Sequence, residues 1–243
     1  MSYLFKPPAH CSYGERCHSI FTQTLPKHLF KVYIRMIAYY INLDYRYDRK
    51  ILVERDFFNL HIEFIRIPAI LHSDGLTGCL QSHIKVLETC DPGADYLWVC
   101  EDDIEFLVPK VDIDKSIDAF MKSDGDILCL AFNSRKQSRY SDGFLRTTDN
   151  QTTSCYIVKR KFRSVLLDFW KSLLNSIETN TVHPLENLFL QLDVHKGDNS
   201  FRALDQAWKV LQKDYIFLIP EKRIARQRAG YSDIMSKSVN YKC

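Results

Sequence analysis

The stretch from Tyr96 to Phe106, Y-L-W-V-C-E-D-D-I-E-F, runs a mostly apolar segment into three consecutive acids and then returns to apolar residues. An uninterrupted apolar run of this length reads as a strand buried on both faces, the kind that occupies the centre of a parallel sheet. A carboxylate buried without a partner loses on the order of several kcal/mol of hydration. Glu101, Asp102 and Asp103 must therefore meet water, cations or a metal. In an open α/β sheet, ligands bind beyond the carboxyl ends of the strands. Oxygen ligands at that place suit a hard divalent cation that bridges to phosphate. The competing reading of the same acids is a solvated strand end followed by a turn.

Such a strand needs a sizeable core around it. A chain of 243 residues, 46% hydrophobic and 26% charged, supplies one within a single large domain. Aromatic residues at 13% argue against general disorder. The net charge of +3 is too small for a nucleic-acid binder, so no nucleic-acid partner is expected. No apolar run approaches the roughly 20 residues of a membrane span, and the first residues lack a signal peptide's apolar region. The expectation is a cytoplasmic protein with no transmembrane segment. The eight cysteines contain no C-x-x-C pair, and reduced thiols are expected. His10, Cys11, Cys17 and His18 cluster near the start but match no common zinc-finger spacing.

Residues 1–35 show no clean periodicity and read as an N-terminal extension, with residues 36–243 as one domain. Met36 to Leu43 reads as a buried strand, followed by a helix of about ten residues capped by Asp48. His61 to Ile67 alternates as a second strand. A helix capped by Thr77 runs to about Thr89, and Asp114 to Lys122 forms a shorter one. Asp126 to Phe132, Ser154 to Val158 and Asp214 to Pro220 read as further strands, Lys161 to Leu174 and Leu204 to Leu211 as helices. Arg135 to Asp142 reads as a polar loop, and residues 175–200 as irregular apart from a helical turn or two over Leu185 to Leu192. Alternating strands and helices predict an α/β fold, a mainly parallel sheet flanked by helices, with an irregular C-terminal half.

Placed on this frame, the polar residues suggest a nucleotide site. The first strand ends in Asn42, Leu43 and Asp44, with Arg46 and Arg49 just beyond. Amide and backbone groups there can pair with a base edge, and guanidinium groups can bind phosphate. The triple acid follows about 60 residues later. Arg223, Arg226, Gln227 and Arg228 form a basic segment that could cover a diphosphate, or simply a solvated basic surface.

These motifs, in this order, resemble glycosyltransferase family 25, the lipopolysaccharide-biosynthesis and procollagen galactosyltransferase group. Tyr40-Ile41-Asn42-Leu43-Asp44 with Asp48-Arg49-Lys50 is similar to its opening INLD…DR segment, and Arg66-Ile67-Pro68-Ala69-Ile70 to the segment that follows. Gly75 to His83 matches GxxGCxxSH, the most distinctive of the set, and Glu101-Asp102-Asp103-Ile104 matches EDDI. Gln227 with Ser232-Asp233-Ile234 is similar to the closing Q…SDI. The resemblance spans roughly residues 36–235, and the compact form is more like the bacterial or large-virus members.

The resemblance implies a GT-A fold, related to the Rossmann fold, and inverting transfer of a hexose from a UDP-sugar to a hydroxyl of a glycan or other acceptor. Galactose and glucose lead as the sugar. It implies Mn²⁺ or Mg²⁺ as cofactor, with Asp103 on the ion, Asp102 on it or its waters, and Glu101 near the ribose or those waters. It places Asn42, Leu43 and Asp44 at the base and ribose, and Arg226 and its neighbours near the diphosphate. Where some GT-A enzymes close the metal site with a histidine, this chain has Gln227. An inverting transfer needs a carboxylate to take the acceptor's proton. Asp205 is the first choice, against a role as helix N-cap, with Asp193, Asp198 and Glu186 behind it. Ser82 and His83 are expected to cap or orient a helix, and Trp208 to pack in the core. Residues 133–152 and 175–202 are the expected acceptor loops. Two other functions fit the same acids: a Mg²⁺-dependent nucleotidyltransferase, for which no Gly-rich phosphate loop is present, and an inactive nucleotide-sugar-binding module.

Overall fold

A computed structural model of the protein describes residues 36–141, 143–184 and 200–240. The readings placed on residues 1–35, including the His10–His18 cluster, lie outside the described residues. So do the helical turn at Leu185 to Leu192 and the candidate bases Glu186, Asp193 and Asp198.

The chain opens with β1 (Ala38–Asn42), α1 (Tyr47–Asn59), β2 (Phe64–Pro68), α2 (Gly75–Thr89) and β3 (Tyr96–Glu101). There follow β4 (Ile104–Phe106), α3 (Lys110–Lys122), β5 (Ile127–Cys129), β6 (Asn133–Ser134), β7 (Gln137–Ser141), β8 (Phe144–Thr147) and β9 (Asn150–Gln151). The remainder comprises β10 (Cys155–Lys159), α4 (Arg160–Glu178), α5 (Leu204–Ala207), β11 (Phe217–Pro220), β12 (Ala225–Gln227), β13 (Gly230–Ser232) and β14 (Lys237–Val239). One eight-stranded sheet runs β2-β1-β3-β10-β5-β11-β8-β7. β10 and β8 run against their neighbours, and every other strand of this sheet points the same way. The fold is thus mixed α/β with a large, mostly parallel sheet flanked by helices, as the alternation of elements predicts.

Strand alternation sorts the core onto two faces. Leu97 and Val99 of β3 pack with α2 and α4, through Leu80, Leu87, Leu166 and Trp170. Trp98 and Cys100 of the same strand pack with α1 and α3, through Val53, Phe57, Ile113 and Phe120. The helices α1 and α2 lie on opposite faces, and β2 and β3 lie on opposite sides of β1. The chain reverses its winding at β1, which opens a crevice at the carboxyl ends of β1 and β3.

Several expectations need correction. Asp48 does not cap α1. Arg46 holds the N-cap position without a side-chain capping bond, and Asp48 instead accepts from the Arg46 guanidinium at 2.9 and 2.8 Å. Thr77 does not cap α2. Asp74 does, accepting from Leu76 N at 3.3 Å and from the Thr77 hydroxyl at 2.6 Å. Asp74 also receives Arg202 Nη2 at 2.9 Å. The polar stretch before Asp142 belongs to the hairpin of β7 and β8 rather than a loop, its strand at the sheet edge where exposed polar side chains are tolerated. Two helices are longer than their apolar spacing indicates: α3 begins at Lys110, and α4 runs on to Glu178.

Asp74→Ala is expected to cost about 1 kcal/mol of stability, the usual worth of a helix cap. Thr77→Val should cost less, because Asp74 keeps its bond to Leu76 N. Urea denaturation of the two variants checks this, and the opposite order would contradict the cap assignment.

Candidate active site at the carboxyl ends of β1 and β3

A cavity of about 220 Å³ occupies the crevice. Its floor is made by Asn42, Arg49 and the acids Glu101 to Asp103, and one wall by Gly75, Gly78, Cys79, Ser82 and His83 of α2. The loop after β2 (residues 69–73) and the C-terminal segment Ser232 to Ile234 form the rim, with Leu43 and Tyr45. The small residues of α2 are there for clearance. A Cβ at Gly78 would lie 2.8 Å from Ile70 O, so only glycine lets the rim loop cross the helix this closely. Ser82 then pins that loop, receiving Ile70 N at 2.8 Å while donating to Gly78 O at 2.6 Å. Ser82 thus fixes the rim.

Asn42 is buried, with 1% exposure, and its amide is spent inside the protein. Nδ2 donates to Asp102 Oδ2 at 2.8 Å and to Arg46 O at 3.1 Å, and Oδ1 accepts from Arg66 Nε at 2.9 Å. Asn42 therefore positions Asp102. Arg49 Nη1 spans both neighbouring acids, 2.9 Å from Asp102 Oδ1 and 3.1 Å from Asp103 Oδ2, and Nη2 donates to Tyr231 O at 2.7 Å. Asp44 turns away to Arg66 at 2.5 Å. Arg46 is held by Asp48, Tyr231 O and Asp233, which ties the C-terminal segment over the end of β1.

The three acids part company. Glu101 faces α2: Oε1 accepts from Thr153 Oγ1 at 2.8 Å and lies 3.4 Å from His83 Nε2. Burial pushes its carboxyl up, but His83, Thr153 and Arg49 outweigh burial and leave it below the usual value. Burial also pushes Asp102 up, against the pull of Arg49 and Asn42, and here burial wins. Asp103 is pushed up to about 7, by burial first and then by the charge of Glu101. Gln227 Nε2 donates to Asp103 Oδ2 at 3.0 Å, so the residue standing where a histidine was sought does meet the acid motif. Asp103 Oδ1 is buried with no hydrogen-bond partner.

β12 brings Gln227 there by pairing antiparallel with β4, in a register that sets Arg226 opposite Glu105. Arg226 accordingly binds Glu105 at 2.6 Å, and Arg228 binds Asp56 and, at 3.3 Å, Glu105. Neither arginine lines the cavity. Asp205 lies in the first turn of α5, not at its N-cap, which is Ala203. Burial and the charge of Glu101 push Asp205 up to about 6, while Lys209 and the backbone N–H groups of Gln206 and Thr152 pull it down. Thr152 holds a left-handed backbone, φ 104°, which is strained for a β-branched residue. Trp208 is fully buried, as expected.

The sequence reading missed Tyr45, Ile70, Leu71 and His72 on the rim. All four stand just past the end of a strand, the place where ligand-contacting loops arise.

No protein-family model matches the sequence, and no curated protein matches it. Among solved structures, the chain is similar to a glycosyltransferase involved in glycosylation of the major capsid of PBCV-1. The identity is 12%, the TM-score 0.44, and the match covers 81% of this chain and 94% of that one. It is similar to mannose-1-phosphate geranyltransferase from Thermus thermophilus at 10% identity and TM-score 0.41, over 79% of this chain and 74% of that one. Mouse xyloside xylosyltransferase 1 matches at 6% identity and TM-score 0.39, over 74% and 70%. At these scores no chemistry transfers from the neighbours to this chain. Among the described residues no helix is long and apolar enough to cross a membrane, and Cys79, Cys90, Cys100, Cys129 and Cys155 are free thiols.

The raised Asp103 fixes a pH dependence. Between the ordinary value of 3.8 and about 7, folded Asp103 holds a proton that the unfolded chain has released. Stability of the metal-free protein should therefore fall as pH rises through that window, by on the order of a few kcal/mol. Asp205 adds in the same direction, and Glu101 opposes only at lower pH. Thermal melts between pH 5 and 8 should show this decline, and Asp103→Asn should flatten it and melt above the parent at pH 8. A variant that keeps the full slope would contradict the assignment.

Proposed function

We propose that this chain is a metal-dependent, inverting glycosyltransferase of the GT-A type, similar to family 25, that moves a hexose from a UDP-sugar to a hydroxyl of a glycan. The observation that carries the reading is Asp103 Oδ1: a buried carboxylate oxygen without a partner, at the edge of a cavity on the sheet's switch point. Its chemistry suits Mn²⁺ or Mg²⁺, which favour hard oxygen ligands. Asp103 would hold the ion. Asp102 would stand beside it, fixed by Asn42 and Arg49. The bound ion would neutralise charge growing on the departing diphosphate.

The remaining work falls to the chain's own groups. Arg49 holds the two carboxylates together and moderates their repulsion. The apolar rim of Leu43, Tyr45, Ile70, Leu71 and Ile234 offers a face to the base and excludes water around it. Asp205 accepts the acceptor's proton as its hydroxyl attacks, and a value near 6 suits a base working at neutral pH. Asn42 and Arg46 act as positioning residues, and Arg226 and Arg228 brace the floor through Glu105 and Asp56.

Release of UDP from a panel of UDP-sugars, with Mn²⁺ and with EDTA, tests the reading. Mn²⁺-dependent turnover of at least one donor is expected, and Asp103→Ala should lower it about 100-fold or more. Asp205→Asn should keep donor affinity and lose about 10²- to 10⁴-fold in transfer. Absence of turnover and binding across all nucleotide sugars would overturn the proposal, and full transfer by Asp205→Asn would remove Asp205 as the base.

A further inference from the structure

The cavity also holds a second set of ligand atoms, different in kind from the Asp103 carboxylate. Cys79 and His83 stand four residues apart on α2 and so share a face. Glu101 at the end of β3 meets them, and the thiol, imidazole and carboxylate ligand atoms all lie within 4.8 Å of one another. All three residues line the cavity.

His83 is the decisive member. It is wholly buried, yet its Nε2 makes no well-aligned hydrogen bond. The 3.4 Å approach to Glu101 Oε1 falls within ion-pair range but outside hydrogen-bond alignment. A poorly aligned buried nitrogen is costly, and the long contact to Glu101 leaves it under-satisfied where an ion shared with Glu101 would pair it. Around the ring everything else is fixed. Tyr156 Oη lies 3.1 Å from Nδ1, the Tyr156 ring stacks on the imidazole, and Trp170 meets it edge-on. In the tautomer that donates its Nδ1 proton to Tyr156, Nε2 would turn a lone pair toward Cys79 and Glu101. A metal-bound histidine uses its second nitrogen in this way.

We infer that Cys79, His83 and Glu101 form a second metal site, for zinc or a similar borderline divalent ion, with its open position facing the cavity. The donor set decides the class: thiolate and imidazole with one carboxylate favour zinc, whereas Mg²⁺ prefers oxygen alone. The spacing of 3.4 Å between Nε2 and Oε1 agrees with the ligand–ligand edge of about 3.3 to 3.5 Å expected for tetrahedral zinc at its usual bond lengths. The field is favourable as well. Burial first, then the charges of Glu101, Asp205, Asp103 and Asp102, push the Cys79 thiol up, so a cation there relieves a concentration of negative charge. Three protein ligands with a fourth position toward a cavity is the arrangement of a reactive zinc rather than a sealed structural one.

Titration of the full chain with Co²⁺, followed by absorption, tests this without any donor, so its outcome is independent of the transferase reading. The parent should show a thiolate-to-cobalt charge-transfer band with tetrahedral ligand-field bands. Cys79→Ser should lose the charge-transfer band while keeping the parent's far-ultraviolet circular dichroism. Tyr156→Phe keeps the ring but not the hydroxyl, and should keep the band with Co²⁺ affinity weakened about 10- to 100-fold. Asp103→Asn should keep the thiolate band, even if removal of its charge near Cys79 alters the affinity. No thiolate band in the parent, a band of undiminished strength in Cys79→Ser, or its loss in Asp103→Asn would each overturn a separate site.

Discussion

Three adjacent carboxylates at the end of a buried strand must each find compensation, and the surrounding structure is arranged to supply it. Asp102 is compensated by Asn42 and Arg49, Glu101 by Thr153 and the nearby His83, and Asp103 by Arg49 and Gln227. These partners come from β1, α1, α2, β12 and the turn before β10, five separate parts of the chain. Compensation is nonetheless incomplete. Asp102 and Asp103 remain raised, and Asp103 Oδ1 is unpaired. A fold that leaves a buried carboxylate in this condition is poised to bind a cation.

The position of this cluster follows from winding. β1 is flanked by β2 on one side and β3 on the other, with their helices on opposite faces, so neither α1 nor α2 closes over the carboxyl ends of β1 and β3. The crevice is then bounded by loops. Glycine at 78 allows the loop after β2 to lie against α2, and Arg46 and Arg49 hold the C-terminal segment across the other side. The strain at Thr152 belongs to the same construction, because the turn that carries it bonds both Glu101 and Asp205.

Much of this was legible in the sequence. Apolar runs located β1, β3, β5, β10 and β11, since central strands of a parallel sheet are buried on both faces and show as continuous hydrophobic segments. The acids at the end of β3 pointed to the site, and Gln227 was linked to them. What the sequence did not show was set by non-local geometry. The β4–β12 register places Arg226 against Glu105, and no local pattern encodes that pairing. The polar edge hairpin of β7 and β8 has no apolar alternation to reveal it. Asp74 and Thr77 are both good caps by composition, and only the helix start at Gly75 decides between them, placing Asp74 at the N-cap. His83 read as a helix orienter, and its place beside Glu101 appears only once β3 and α2 are packed.

The proposed transfer rests on a cation held by Asp103 and shared with a nucleotide diphosphate. Calorimetric titration of UDP into the protein, with and without Mn²⁺, tests that claim most directly. The account predicts that Mn²⁺ tightens UDP binding about tenfold or more, and that the gain disappears in Asp103→Asn while metal-free binding persists. Equal UDP affinity with and without Mn²⁺, or a gain that survives in Asp103→Asn, would contradict it.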